Sequence, residues 1–176
     1  MMQLTMPKDI KSIVIASHNE GKVREIRSLL DPYGYKIISA KKLGINEPIE
    51  NGMTFSENSL IKSRNAAKKS GLVALADDSG LCVNSLNYRP GIFSARWAGK
   101  NKDFGMAMKK IQKLMEKNDL LSKYNRRAFF VCSLSVYFPD GKNKVFNGRV
   151  NGHLQFPPKG LNGFGYDPIF VANGYR

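Results

Sequence analysis

A chain of 176 residues and 19.7 kDa is long enough to bury roughly 70% of its unfolded surface as one domain or two packed lobes, so it needs no disulfide-stapled miniprotein framework. Its 42% hydrophobic and 24% charged residues, with a mean hydropathy of −0.34, exclude a disordered chain, and no apolar run approaches the ~18 residues of a membrane-spanning helix. Twenty-eight basic residues against 14 acidic ones give a net charge of +14 and a pI near 9.9, which turns attention to anionic partners: nucleotide, nucleic acid or an acidic surface.

The opening Met1–Lys11 segment lacks the apolar core of a signal peptide, so a cytoplasmic protein is expected. Ser12 to Ala16 reads as a buried strand. A polar turn follows, Ser17-His18-Asn19-Glu20-Gly21, and then a helix from Lys22 to Asp31 with Val23, Ile26 and Leu30 on one face. Strand, loop and helix in that order present backbone N–H groups to an anion. Tyr35 to Ser39 reads as a second strand. Thr54-Phe55-Ser56-Glu57 has capping-box spacing ahead of a helix running to about Ser70, which Gly71 stops.

Val73 to Ala76 reads as a short apolar strand that leaves the sheet at Asp77-Asp78-Ser79-Gly80. Apolar residues at 104, 108, 111 and 115 predict a helix over 104–117. Residues 127–138 are β-like, and Pro139-Asp140-Gly141 supplies a hairpin turn into Lys144-Val145-Phe146. The glycine-rich stretch from Gly148 to Gly165 has no clear assignment. Cys82 and Cys132 stand 50 positions apart with no CxxC or Cys/His cluster, so neither zinc nor a disulfide framework is indicated and both read as reduced core thiols.

Three segments have the composition of a chemical site. Ser17 to Lys22 combines hydroxyl, amide, glycine and lysine at a helix start, an inventory suited to phosphate, although it is not a Walker A sequence and such turns are often purely structural. Glu50, ahead of Asn51-Gly52, and the Asp77/Asp78 pair are hard oxygen donors of the kind that hold Mg²⁺, which uses one or two protein carboxylates and fills its shell with water and phosphate. Taken alone, Asp-Asp-Ser-Gly is more often ordinary turn chemistry. Glu57 is explained as the capping-box partner and is left out of the site. Gly163-Phe164-Gly165-Tyr166-Asp167-Pro168 can place a ring or amides against a purine, or can simply turn and bury two aromatics. Lys62 can reach a phosphate or lie solvated.

In order, IVIASHNEGKVREI, ENGMTFSENSLIKSRNAA, ALADDSGLCVNSL with RPGIFSARWAG, and NGFGYDPIF resemble the inosine triphosphate pyrophosphatase family, over almost the whole chain. That resemblance implies an α/β fold, a mixed elongated sheet with flanking helices in which two lobes enclose a nucleotide cleft, as one pyrophosphatase domain over residues 1–176. It implies hydrolysis of non-standard purine nucleoside triphosphates (ITP, dITP, XTP) to the monophosphate and pyrophosphate, with Mg²⁺ as cofactor and a homodimer as the assembly. Carried over by position, it implies substrate contacts at Ser17, His18, Asn19, Glu20, Gly21, Lys22, Lys62, Ser79, Phe164, Gly165, Tyr166 and Asp167. It implies metal ligation by Glu50 and Asp78, with Asp78 also the proton acceptor.

Members of that family continue past the FGYDP segment, with a base-contacting lysine and a Ser-His-Arg segment that this sequence lacks. The expectation is therefore a C-terminally truncated chain whose activity and base selectivity are weakened, or a catalytically impaired remnant. A different class of reading is a nucleic-acid-binding protein. It rests on the net charge and on nine Lys/Arg against three acids between Lys100 and Arg127, although no recognition-helix, RRM or zinc signature accompanies them. Nucleic acid and membrane are not required partners on the enzymatic reading.

Overall fold

The computed structural model describes residues 11–160 and 163–175. Met1–Ile10, on which the reading of the leader rests, lie outside the described residues, as do Leu161, Asn162 and the terminal Arg176. The strands are β1 (Ser12–Ile15), β2 (Lys36–Ser39), β3 (Val73–Val83), β4 (Arg127–Tyr137), β5 (Asn143–Leu154) and β6 (Phe170–Ala172). They form one sheet in the order β2-β1-β3-β4-β5-β6. It is mixed: β1 is parallel to β2 and to β3, whereas β5 and β6 are antiparallel. The helices are α1 (Glu20–Leu30), α2 (Phe55–Ser70), the single turn α3 (Ser94–Trp97) and α4 (Phe104–Lys117). The chain divides into two compact units, Met1–Asp78 with Ser133–Phe146, and Ser79–Cys132 with Asn147–Arg176.

In the first unit, Ile13, Val14 and Ile15 are buried on both faces of the sheet, which is why the strand reads as an uninterrupted apolar run rather than an alternating one. Val14, Ala16, Ala74 and Ala76 pack with Ala66 and Ala67 of α2, while Ile13, Ile15 and Leu75 pack with Val23, Ile26 and Leu30 of α1. Alanines let α2 lie close to the sheet. Hydroxyl pairs then fix its position: Ser135 Oγ donates to Ser63 Oγ at 2.8 Å, and Ser56 and Ser133 Oγ are 3.0 Å apart. The capping box at the helix start is formed as expected. Glu57 N–H donates to Thr54 Oγ1 and Thr54 N–H returns to Glu57 Oε2, and Gly71 closes the other end at φ 68°.

Two expectations about β-structure need correction. Asp77-Asp78-Ser79-Gly80 is not a turn, because β3 runs through it to Val83. Pairing with β1 ends at Leu75, but β3 remains beside β4, and the apolar run resumes at Leu81, fully buried. Gly80 makes the continuation possible, since a Cβ there would strike Ser94 Oγ and the Gly91 carbonyl; Ser94 Oγ accepts the Leu81 N–H at 3.0 Å. Likewise the glycine-rich stretch from Gly148 begins as strand: β5 extends through Gly152 to Leu154. A Cβ at Gly152 would collide with the Val171 carbonyl and the Phe170 ring, so a glycine is what lets β6 pair there.

The second unit packs Ala107, Ile111 and Met115 of α4 against Leu81, Val83, Leu154 and Ile169, and the helix has the expected bounds, with Asp103 Oδ1 accepting the Met106 N–H at its start. The hairpin turn is also as expected, closed by Phe138 N–H to the Lys142 carbonyl at 2.8 Å. Cys82 is buried, which pushes its thiol up to about 11. Cys132, expected in the core, is exposed instead, because alternation along β4 sends Ser133, and not Cys132, to the buried face. Among the described residues no helix is long and apolar enough to cross a membrane.

Candidate active site

From β1 the chain goes to β2 on one side, while β3 lies on the other, so the strand order reverses at β1. Where order reverses in a parallel arrangement, the carboxyl ends of the strands leave a crevice that loops and side chains can line. The turn after β1 and the acids beyond Leu75 in β3 both lie at that end.

Asn19 caps α1, its Oδ1 accepting the Gly21 and Lys22 N–H groups at 3.0 and 3.4 Å. Ser17, buried, accepts the Asn19 N–H, and Glu47 accepts the His18 N–H with the His18 ring Nδ1 also 3.1 Å from its Oε1. Several amides that the strand-loop-helix pattern offers to an anion are thus engaged by the chain's own side chains. Glu20 and Gly21 form the first turn. Lys22 leaves it toward β3, with Nζ 2.5 Å from Asp77 Oδ2.

A second group forms around α2. Lys62, 9% exposed, places Nζ 2.7 Å from Glu50 Oε1 and 3.9 Å from Asp78 Oδ1. The ammonium therefore stands between the two carboxylates, not across from them. Burial works against its charge, but attraction to Glu50 and then Asp78, a hydrogen bond to Glu50 and attraction to Asp77 outweigh it, and its pKa lies above the ordinary lysine value. Asp78 is held above the ordinary carboxylate value, first by burial; Lys62 opposes the shift, Glu50 adds to it, and Asn58 and Lys22 oppose it.

Asn58 is the residue that sequence reading missed. Fully buried in the first turn of α2, it accepts the Gly52 N–H at 2.9 Å through Oδ1, and its amide faces Asp78 closely enough to favour the charged carboxylate. Among the described residues, neither Asn58 Nδ2 nor Asp78 Oδ2 completes a hydrogen bond of ordinary geometry. A buried asparagine in an otherwise small-residue helix face was the available signal. Gly52 is part of the same device: a Cβ there would lie 2.7 Å from Asn58 Oδ1 and from Glu57 Cβ, so only glycine brings the Glu50 loop this close to the helix.

Glu50 and Asp78 are hard oxygen donors that both approach the Lys62 ammonium, and among the described residues Asp78 Oδ2 is a buried acceptor of unspent capacity. That suits a divalent cation held by two carboxylates. Among the described residues no group of three or more His, Cys, Asp or Glu is placed to hold a metal ion.

The other expected residues belong to the second unit. Ser79 follows Asp78 in β3 and is half-buried. In the 163–167 loop, Asp167 Oδ2 accepts the Phe164 N–H at 2.9 Å, while Gly163 and Gly165 adopt φ of 88° and 69°. Tyr166 is in the core, its hydroxyl donating to the Ser94 carbonyl at 2.9 Å and its ring edge-on to Phe104; burial pushes its pKa well up. The exposed ring of the loop is Phe164.

A mixed-sheet α/β protein with buried lysine–carboxylate pairs beside a strand-order reversal has its charged groups where ligands of open α/β sheets bind. The chain belongs to the Ham1 family, whose model matches residues 13–176. It is 54% identical over 165 residues to the dITP/XTP pyrophosphatase of Zymomonas mobilis, covering 93% of this chain and 78% of that one. Among solved structures it is similar to a HAM1 protein from Coxiella burnetii, with TM-score 0.82 and 39% identity over 92% of this chain and 81% of the other. It is similar also to the nucleoside-triphosphatase / dITP/XTP pyrophosphatase of Mycobacterium abscessus, with TM-score 0.78 and 37% identity over 93% and 84%.

Proposed function

We propose that this protein hydrolyses non-standard purine nucleoside triphosphates, dITP and XTP in the first place and ITP with them, to the monophosphate and pyrophosphate. The observation that carries the assignment of the site is Lys62, buried between Glu50 and Asp78. A triphosphate is a polyanion, and its oxygens can replace the carboxylates on Lys62 and Lys22 without leaving either ammonium uncompensated. Asp78 orients a water at the α-phosphorus and takes its proton as the new O–P bond forms and the bond to the β-phosphate oxygen breaks. A carboxyl held above its usual range is a better base than a solvated one, so the environment of Asp78 suits the role.

Glu50 and Asp78 would hold a divalent cation, Mg²⁺ in this proposal, which supplies neutralisation of phosphate charge and activation of water when bound. Ser17 to Gly21, Ser79 and the loop of Phe164, Gly165, Tyr166 and Asp167 are assigned to the rest of the substrate. Hypoxanthine and xanthine present a 6-oxo acceptor where adenine presents an amino donor, and donors placed there would disfavour ATP by being left unpaired. A homodimer is the assembly we assign, to be checked by sedimentation equilibrium.

The test is a pyrophosphate-release assay with dITP, XTP, ITP, ATP and GTP, with and without Mg²⁺. Release from dITP, XTP and ITP that exceeds release from ATP, and that chelation abolishes, is the expected result. Equal turnover of ATP would remove the base preference, and turnover persisting in chelator would remove the cation.

A further inference from the structure

The second unit carries 14 Lys/Arg against 4 Asp/Glu, so +10 of the chain's +14 resides there. Part of this charge lines a concavity of about 640 Å³ between the turn of Lys123–Arg126 with the start of β4, and the end of β5 with Asn173. Lys123, Arg126, Arg127 and His153 face it, and among the described residues that line it none is acidic. Among the described residues none of Lys123, Arg126 and Arg127 forms an ion pair. The volume is that of a small-molecule site.

The turn is a held scaffold. Ser85 Oγ donates to the Asn125 carbonyl at 2.7 Å, and Arg126 Nε donates to the Leu121 carbonyl at 2.8 Å with its guanidinium beside the Phe156 ring. Projecting from it, Tyr124 is 82% exposed. Three permanent cations lining one groove with no ion-pair partner among the described residues repel one another, and an anion entering the groove would relieve that repulsion. Guanidinium forks bind phosphate oxygens through paired N–H groups, and an exposed ring beside them gives a planar base a surface to stack on.

We infer that this groove binds a nucleotide unit, its phosphate on Lys123, Arg126 and Arg127 and its base on Tyr124, using no residue of the Lys62 cluster. The unit has two sources, a free nucleoside monophosphate or one link of a single-stranded nucleic acid. The experiment uses the full chain at about 100 mM salt. Anisotropy of a labelled ten-nucleotide single strand is measured beside calorimetric titration with inosine monophosphate, for wild type, Lys123→Ala/Arg127→Ala, Tyr124→Ala and Lys62→Ala.

Binding of at least one probe with Kd on the order of 10 µM is expected. It should weaken at least tenfold in the double variant and several-fold in Tyr124→Ala, with pyrophosphate release unchanged in both. Binding by the strand alone identifies nucleic acid as the source, and binding by the monophosphate alone identifies free nucleotide; either supports the site. No binding of either probe overturns it, as does binding that survives both groove variants or that only Lys62→Ala removes. The altered groove side chains, Lys123, Tyr124 and Arg127, are exposed, and circular dichroism checks that each variant, Lys62→Ala included, is folded.

Discussion

Asp78 is asked to be charged in a place that penalises charge. Its pKa is raised in the folded protein, by burial above all, against an ordinary value of 3.8. Between those two values the folded state binds more protons than the unfolded one, so stability falls as pH rises through the interval. The cost is absent below 3.8 and complete above the folded pKa. Asp78→Asn is therefore expected to abolish turnover, by at least ~10²-fold for loss of a base, while keeping nucleotide binding. The same variant should melt higher than wild type at pH 7.5, by a margin that vanishes near pH 3. A wild type more stable at pH 7.5 would mean that the Lys62 ion pair outweighs burial, and unchanged pyrophosphate release would remove Asp78 from the mechanism. At this scale the sequence was readable where chemistry is local. Glu57 could be assigned as a cap from spacing, whereas Asn58 could not be seen as a link between Gly52 and Asp78, because β3 and the Glu50 loop are brought to it by tertiary packing.

α2 performs two tasks that substitution can separate: its first turn stabilises the helix, and it fixes the Glu50 loop. Thr54→Ala removes a cap whose partner is the Glu57 N–H, and should cost about 1 kcal/mol of stability with activity of the folded protein retained. Gly52→Ala puts a Cβ against Asn58 Oδ1 and Glu57 Cβ. It should destabilise by roughly 1–3 kcal/mol and also lower kcat/KM, since Glu50 rides on the displaced loop. Thermal melts and steady-state assays of both variants check this; equal kcat/KM in the two would show that the loop position is immaterial. Element boundaries followed the same division between local and distant causes. The limits of α2 and α4 were written in caps and periodicity. The length of β3 through two aspartates, and of β5 through Gly148 and Gly152, was not, because partner strands and the Ser94 turn decide it.

For the molecule as a whole, net charge was legible from composition, while its concentration in the second unit required knowing that 79–132 and 147–176 fold together. A charge of +14 acts in two opposite directions on the proposed enzyme. It draws a polyanionic triphosphate toward the protein, and it repels itself in the folded state more than in the expanded unfolded chain. Salt weakens both effects, since the screening length falls from about 10 Å at 0.1 M to about 3 Å at 1 M. Raising NaCl from 20 to 500 mM (roughly 20 to 4 Å of screening length) should therefore raise Tm while lowering kcat/KM for the triphosphate. The loss should sit in KM, because Lys62 is buried between Glu50 and Asp78 and bulk ions screen such close pairs weakly. A Tm that falls with salt would show that attractive pairs, not self-repulsion, dominate the folded surface; a fall confined to kcat would place the salt effect at the reacting groups instead of in encounter.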